Sequence, residues 1–176
     1  MNTNQLLAQR KEKDDFFRTS AYAPLTPAQQ AAFDGLRYYP PNPDLDLTVT
    51  VEPFESTQTI RIETTSREVR EYQRYGRFSF EIDGQTVSLT IYSGQHGYFL
   101  PFVDANAGSE TYPAGRYLEP EPAGTNRFYV DFNEAYSPYC AYGPGWSCPI
   151  TPAENRIPVA IRAGEMSPQG KWLEIE

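Results

Sequence analysis

Strict alternation of apolar and polar residues on either side of an Asp-Gly pair constrains this chain more than any other feature. From Arg77 to Tyr92, Phe78, Phe80 and Ile82 fall on one side of an extended backbone, Asp83-Gly84 supplies a two-residue turn, and Val87, Leu89 and Ile91 resume the same side. A slip of one residue would turn every one of these side chains to water, so the pattern predicts both a hairpin and its register. All of them are expected to face one core.

Period two continues outside the hairpin. Leu47, Val49 and Val51 alternate with Thr48 and Thr50, and Ile60 and Ile62 alternate with Thr59, Arg61 and Glu63. Further strands are predicted at 98–103, around 116–118, at 127–132 with Phe128, Val130 and Phe132 inward, and at 157–162. Short strands punctuated by Gly and Pro, without strand–helix alternation, predict a mainly β fold, either an antiparallel β sandwich or a barrel.

Helical signals are confined to the amino terminus. Residues 4–19 place Leu6, Leu7, Phe16 and Phe17 among charges with no Gly or Pro, a polar helix with apolar anchors. Thr26-Pro27-Ala28-Gln29 combines a capping box with proline at the first helical position, and the second helix is expected to run to about Leu36, with Gly35 as its stop. Pro40-Pro41-Asn42-Pro43 then breaks the chain. A length of 176 residues fits one domain. Its expected layout is a helical segment, 1–39, appended to a β domain, 45–176, that carries an irregular loop at 133–156.

Charge and hydropathy narrow the partners. A net charge of -8 disfavours nucleic acid and anionic membrane, both of which call for a basic face. No apolar run approaches the ~18 residues of a membrane span. Met1 to Arg10 lacks a basic stretch followed by an apolar one, so a cytoplasmic location is expected. No sequence feature bears on the oligomeric state.

The loop concentrates what least resembles scaffolding: both cysteines, Trp146, Tyr136, Tyr139, Tyr142 and several prolines, without helical or strand periodicity. Its aromatic content argues for order. Cys140 and Cys148 admit three readings. They are small buried hydrophobes, or they form a disulfide, which a reducing cytosol would not preserve, or they join His96 in a metal site. Their spacing is not the tight knuckle of structural zinc, and His96 is the single histidine. Reduced thiols and no metal or other cofactor are therefore expected. Gly143 and Gly145 have no lysine or helix start after them, which excludes a P-loop, and no serine sits in a nucleophile elbow.

Glu110, Tyr112, Arg116, Asp131, Asn133, Tyr136, Asn155 and Arg156 fall on loops and strand ends of the β scaffold. One reading makes them a buried network that fixes the loop, with Arg116 paired to Asp131 or Glu110 and partly open to a cleft. Another makes them the lining of a pocket for a small polar or anionic ligand, in a non-catalytic binding or interaction module. A third is a small hydrolase-like enzyme with Asp131 as base and Arg116 as anion stabiliser. Without a cluster of histidines or a recognised nucleophile, binding stands ahead of catalysis.

Several motifs in fixed order carry a family likeness. Gly76-Arg77-Phe78-Ser79-Phe80, Pro101-Phe102-Val103-Asp104, Gly108-Ser109-Glu110-Thr111-Tyr112 and Gly115-Arg116-Tyr117-Leu118 are followed by Asp131-Phe132-Asn133-Glu134-Ala135-Tyr136 and Pro138-Tyr139-Cys140-Ala141-Tyr142. Cys148-Pro149, Glu154-Asn155-Arg156 and Ala163-Gly164-Glu165 complete the series. Together they resemble the uncharacterised bacterial and archaeal family catalogued as domain of unknown function 1684. Lys13 to Arg18 and Phe33 to Tyr38 resemble its opening helices, and Ser137-Pro138 stands where that family usually carries Asn-Pro. The resemblance implies no known activity or ligand.

Overall fold

Asp83 and Gly84 both adopt positive φ, 50° and 72°, in the computed structural model, which describes residues 1–175. This is the mirror-image turn whose twist matches the strands on either side of it. In chain order the strands are β1 (Asp46–Thr50), β2 (Glu52–Glu63), β3 (Val69–Ile82), β4 (Gln85–Gly94), β5 (Gly97–Phe102), β6 (Arg116–Leu118), β7 (Glu121–Gly124) and β8 (Arg127–Asp131). The turn joins β3 to β4 in the predicted register, with Phe78 opposite Leu89 and Phe80 opposite Val87. Both pairs and Ile91 are buried, and Ile82 packs half-buried on the same core.

Strands β2 to β6 form a five-stranded antiparallel meander in sequence order, and β1, β8 and β7 form a three-stranded sheet in that order. Val49, Phe128 and Val130 of the smaller sheet meet Phe78, Leu89 and Leu100 of the larger one. The two sheets thus share a core and do not close into a barrel.

Residues 157–162 depart from the expectation of a strand. Ile157, Val159 and Ile161 are buried alternately, as period two requires, but among the described residues the backbone pairs with no neighbouring strand. Its partners are a turn and two side chains: Ile157 N–H donates to the Val103 carbonyl at 2.8 Å, Ala105 N–H to that of Val159 at 2.9 Å, Ile161 N–H to the Asp104 carboxylate at 2.7 Å, and Arg116 to the Ile161 carbonyl at 2.8 Å. Alternation reports which face a residue buries, not what its backbone bonds to.

Helix α1 (Thr3–Thr19) forms as expected, with Leu6 and Phe17 as its buried anchors while Leu7 and Phe16 stay exposed. Helix α2 (Pro27–Ala32) has the predicted capping box but stops short of Leu36. Phe33 leaves the helix in an extended conformation and packs its ring 5.9 Å from that of Phe17 and 5.1 Å from that of Trp172. Burial of that ring outweighs another helical turn. Nor are the helices an appendage. Phe17, Leu25 and Phe33 form a second apolar cluster with Tyr142 of the irregular loop and Trp172 near the carboxy terminus. Among the described residues, no helix is long and apolar enough to cross a membrane.

Candidate functional site: an aromatic cleft beside the β4–β5 turn

Arg116 opens β6 and is wholly buried. Its Nη1 donates to the carbonyls of Ala163 and Glu165, and its Nη2 donates to the Ile161 carbonyl at 2.8 Å and to the Asp104 carboxylate at 3.2 Å. The ion-pair partner is therefore Asp104, not Asp131 or Glu110. Burial pulls the guanidinium below its ordinary value, and Asp104 opposes that pull. The same network ties the 157–165 segment to β6. Glu110 stands at its edge, where Tyr39 Oη donates to Glu110 at 2.6 Å and accepts from Asn106 at 3.1 Å.

The remaining side chains singled out in the sequence serve separate local tasks. Asp131 accepts from both the backbone and the side-chain amide of Asn133, at 2.9 and 2.7 Å. Asn133 in turn clamps the backbone of Asn42, accepting at 2.7 Å and donating at 2.8 Å. Asn155, fully buried, bridges β4 and β5: it accepts from Thr90 N–H and donates to the carbonyls of Thr90 and Pro101, each at 2.8 Å. Tyr112 Oη donates to the Cys140 carbonyl at 3.3 Å, and Arg156 is exposed, with its backbone bridged to Val103. A residue absent from that group, Glu165, is buried and accepts from Ser137 N–H and from Tyr142 Oη, each at 2.8 Å, as well as from Lys13 Nζ. In the sequence it is one turn carboxylate among many.

Cys140 and Cys148 form a disulfide, which corrects the expectation of reduced thiols. Their Cα atoms lie 6.5 Å apart because the loop folds back on the β2–β3 turn. Thr65 N–H donates to the Cys148 carbonyl at 2.9 Å, Thr65 Oγ1 to that of Trp146 at 2.8 Å, and Ser147 Oγ to the Glu68 carboxylate at 2.6 Å. The bond withdraws both sulfurs from the metal set proposed with His96. Among the described residues, no three His, Cys, Asp or Glu side chains converge.

An open cleft of about 780 Å³ lies where the larger sheet meets the loop. Tyr72 of β3, Phe99 of β5, Tyr117 of β6 and Tyr136 of the loop run along it, with successive ring centroids 5.4, 5.0 and 5.8 Å apart. Gly94 and Gly97 pair opposite each other at the end of the β4–β5 hairpin and keep the floor low. A Cβ on Gly94 would stand 3.2 Å from the Tyr72 ring. Arg70, Glu71, His96 and Glu119 also line the cleft. Tyr136 Oη donates to Glu119 at 2.9 Å, and Tyr117 Oη to the Pro149 carbonyl. Burial raises both phenols well above their ordinary value, reinforced at Tyr136 by the Glu119 charge, so both are protonated donors. Of the residues singled out beforehand, only Tyr136 and His96, the latter as a metal candidate, line this cleft.

Residues 31–166 match a family model described as a protein of unknown function, DUF1684. The chain belongs to the DUF1684 family. The chain is also similar to an uncharacterized protein of Haloarcula marismortui known from a solution NMR structure. The two are 36% identical, the likeness covers 93% of this chain and 92% of that one, and the TM-score is 0.69. No curated protein matches. The DUF1684 match spans every residue of the cleft and Glu165, and leaves α1 outside it.

Proposed function

We propose that this DUF1684 chain acts as a single domain that binds, without transforming, a small polar ligand in the cleft beside the β4–β5 turn. The carrying observation is the aromatic row above a floor cleared of side chains by Gly94 and Gly97. Aromatic walls with a few polar groups at the rim are the usual makeup of a small-molecule site. The hydrolase-like alternative with Asp131 and Arg116 draws less support, because Arg116 is sealed against Asp104 and backbone carbonyls and Asp131 is occupied with Asn133. An anionic ligand at Arg116 loses its footing for the same reason. Nucleic acid and anionic membranes remain poor partners for a chain of charge -8.

A panel of sugars, amino acids, amines and nucleosides, followed by amide NMR shifts, tests the binding reading. Ligands of the cleft should move the resonances of Gly94, His96 and Tyr136, and Gly94→Val should abolish the response while leaving the fold intact. A panel that moves none of them would remove the proposal. Location hangs on the disulfide. A cytoplasmic protein would hold Cys140 and Cys148 mostly as thiols, whereas a closed bond belongs to an oxidising compartment. Trapping free thiols at the moment of cell lysis decides between the two.

A further inference from the structure

We infer that the cleft takes an organic cation, a quaternary ammonium or protonated amine group held among its aromatic rings. This rests on the binding reading above and adds the ligand class. The first ground is the arrangement of the rings. Tyr72 and Phe99 stack at 25°, but Phe99 and Tyr117 meet at 68° and Tyr117 and Tyr136 at 87°, so the row turns corners and offers no continuous flat platform on which a sugar or base would stack. A compact cation is attracted to ring faces by their quadrupole and needs no parallel partner.

The second ground is charge. Glu71 and Glu119 line the cleft together with Arg70, whose guanidinium donates to the Ser147 carbonyl at 2.9 Å, so two carboxylates face one permanent cation there. The field of an acidic protein adds to the attraction. The third ground is the use of aromatic rings elsewhere in the molecule. Arg10 lies 4.4 Å from the Tyr38 centroid and Arg74 lies 4.1 Å from that of Phe54, and within the cleft Lys13 already occupies Tyr136, 5.1 Å from its centroid. Among the described residues no Lys or Arg lies over Tyr72 or Phe99, the half-buried rings that remain for a cation from outside, while Tyr117 is buried behind them.

Calorimetric titration of the whole chain with choline, tetramethylammonium, glucose and 3,3-dimethylbutan-1-ol, the neutral isostere of choline, tests the assignment. Choline should bind at least tenfold more tightly than its isostere. Glu119→Gln and Tyr72→Leu should each weaken it severalfold, and Gly94→Val should abolish it. Equal or tighter binding of the isostere or of glucose, lost in Gly94→Val, would overturn the cation class while leaving the cleft a binding site. Choline binding that is indifferent to Gly94→Val would overturn both readings. Absence of binding by both cations would overturn this one outright.

Discussion

Lys13 of α1 donates to Glu165, 152 residues further along the chain, and so ties the first helix to the segment that carries the last of the main core. The Glu165 carboxylate is 2% exposed, and its other oxygen is already taken by Ser137 and Tyr142. Lys13→Met leaves that carboxylate buried without its cation. We expect a loss of about 2–3 kcal/mol in urea unfolding, below the ~3–5 kcal/mol of a fully sealed pair because the lysine keeps some contact with water. Adding Glu165→Gln should recover part of the loss. A double variant no more stable than the single one would contradict this reading of the pair.

Arg116 and Asp104 are sealed more completely, and the guanidinium also holds three carbonyls of the 157–165 segment. Arg116→Met should destabilise the fold by ~3–5 kcal/mol, since it strands a buried carboxylate and frees those carbonyls. Thermal melting is sufficient to check it. A midpoint within a degree or two of wild type would show that the network is dispensable.

Glu154 accepts from Arg74 at 3.0 and 2.7 Å and from Tyr92 Oη. Burial raises its pKa, but the Arg74 and Tyr92 hydrogen bonds outweigh burial, so the folded value lies below the ordinary 4.5. A carboxylate depressed in the folded state contributes stability that is present above its unfolded value and disappears as pH falls through the folded one. Glu154→Gln should therefore be most destabilising near neutral pH, with its difference from wild type shrinking below about 4.5. Unfolding curves at pH 7 and pH 3 give the two differences. A gap that widened in acid would have the wrong sign.

The Cys140–Cys148 bond closes a short loop pinned to the β2–β3 turn. Denatured protein prepared without reductant should show no free thiol, and reduced protein two. Reduction should lower stability by about 2–3 kcal/mol, the order expected for closing so short a loop. Two titratable thiols in unreduced protein would place the bond outside the native state.

The hairpin, its register and its turn were legible because their determinants are local. Asp83-Gly84 selects the turn, and alternation from Phe78 to Ile91 leaves one register that buries them all. The first helix and the capping box of the second were readable for the same reason. At 157–162 the sequence disclosed the buried face of Ile157, Val159 and Ile161 but not the lack of a partner strand. At Phe33 a helical signal yielded to a ring packed between Phe17 and Trp172, residues distant in the chain.

The candidate site was almost illegible. Tyr136 was singled out, yet the rings beside it come from β3, β5 and β6, and no spacing links Tyr72, Phe99 and Tyr117. Arg116 was legible as a charge beneath the loop, whereas its partner Asp104 and the carbonyls of Ile161, Ala163 and Glu165 were not. By itself the sequence determined the strands with strong alternation, the turn between them, the amino-terminal helices and the family. Only the tertiary structure decided which charges meet, that Cys140 reaches Cys148, and that four aromatic rings open on one cleft. The physical reason is range: backbone preference and periodicity act over a few residues, while pairing and cleft formation depend on how whole sheets and loops pack.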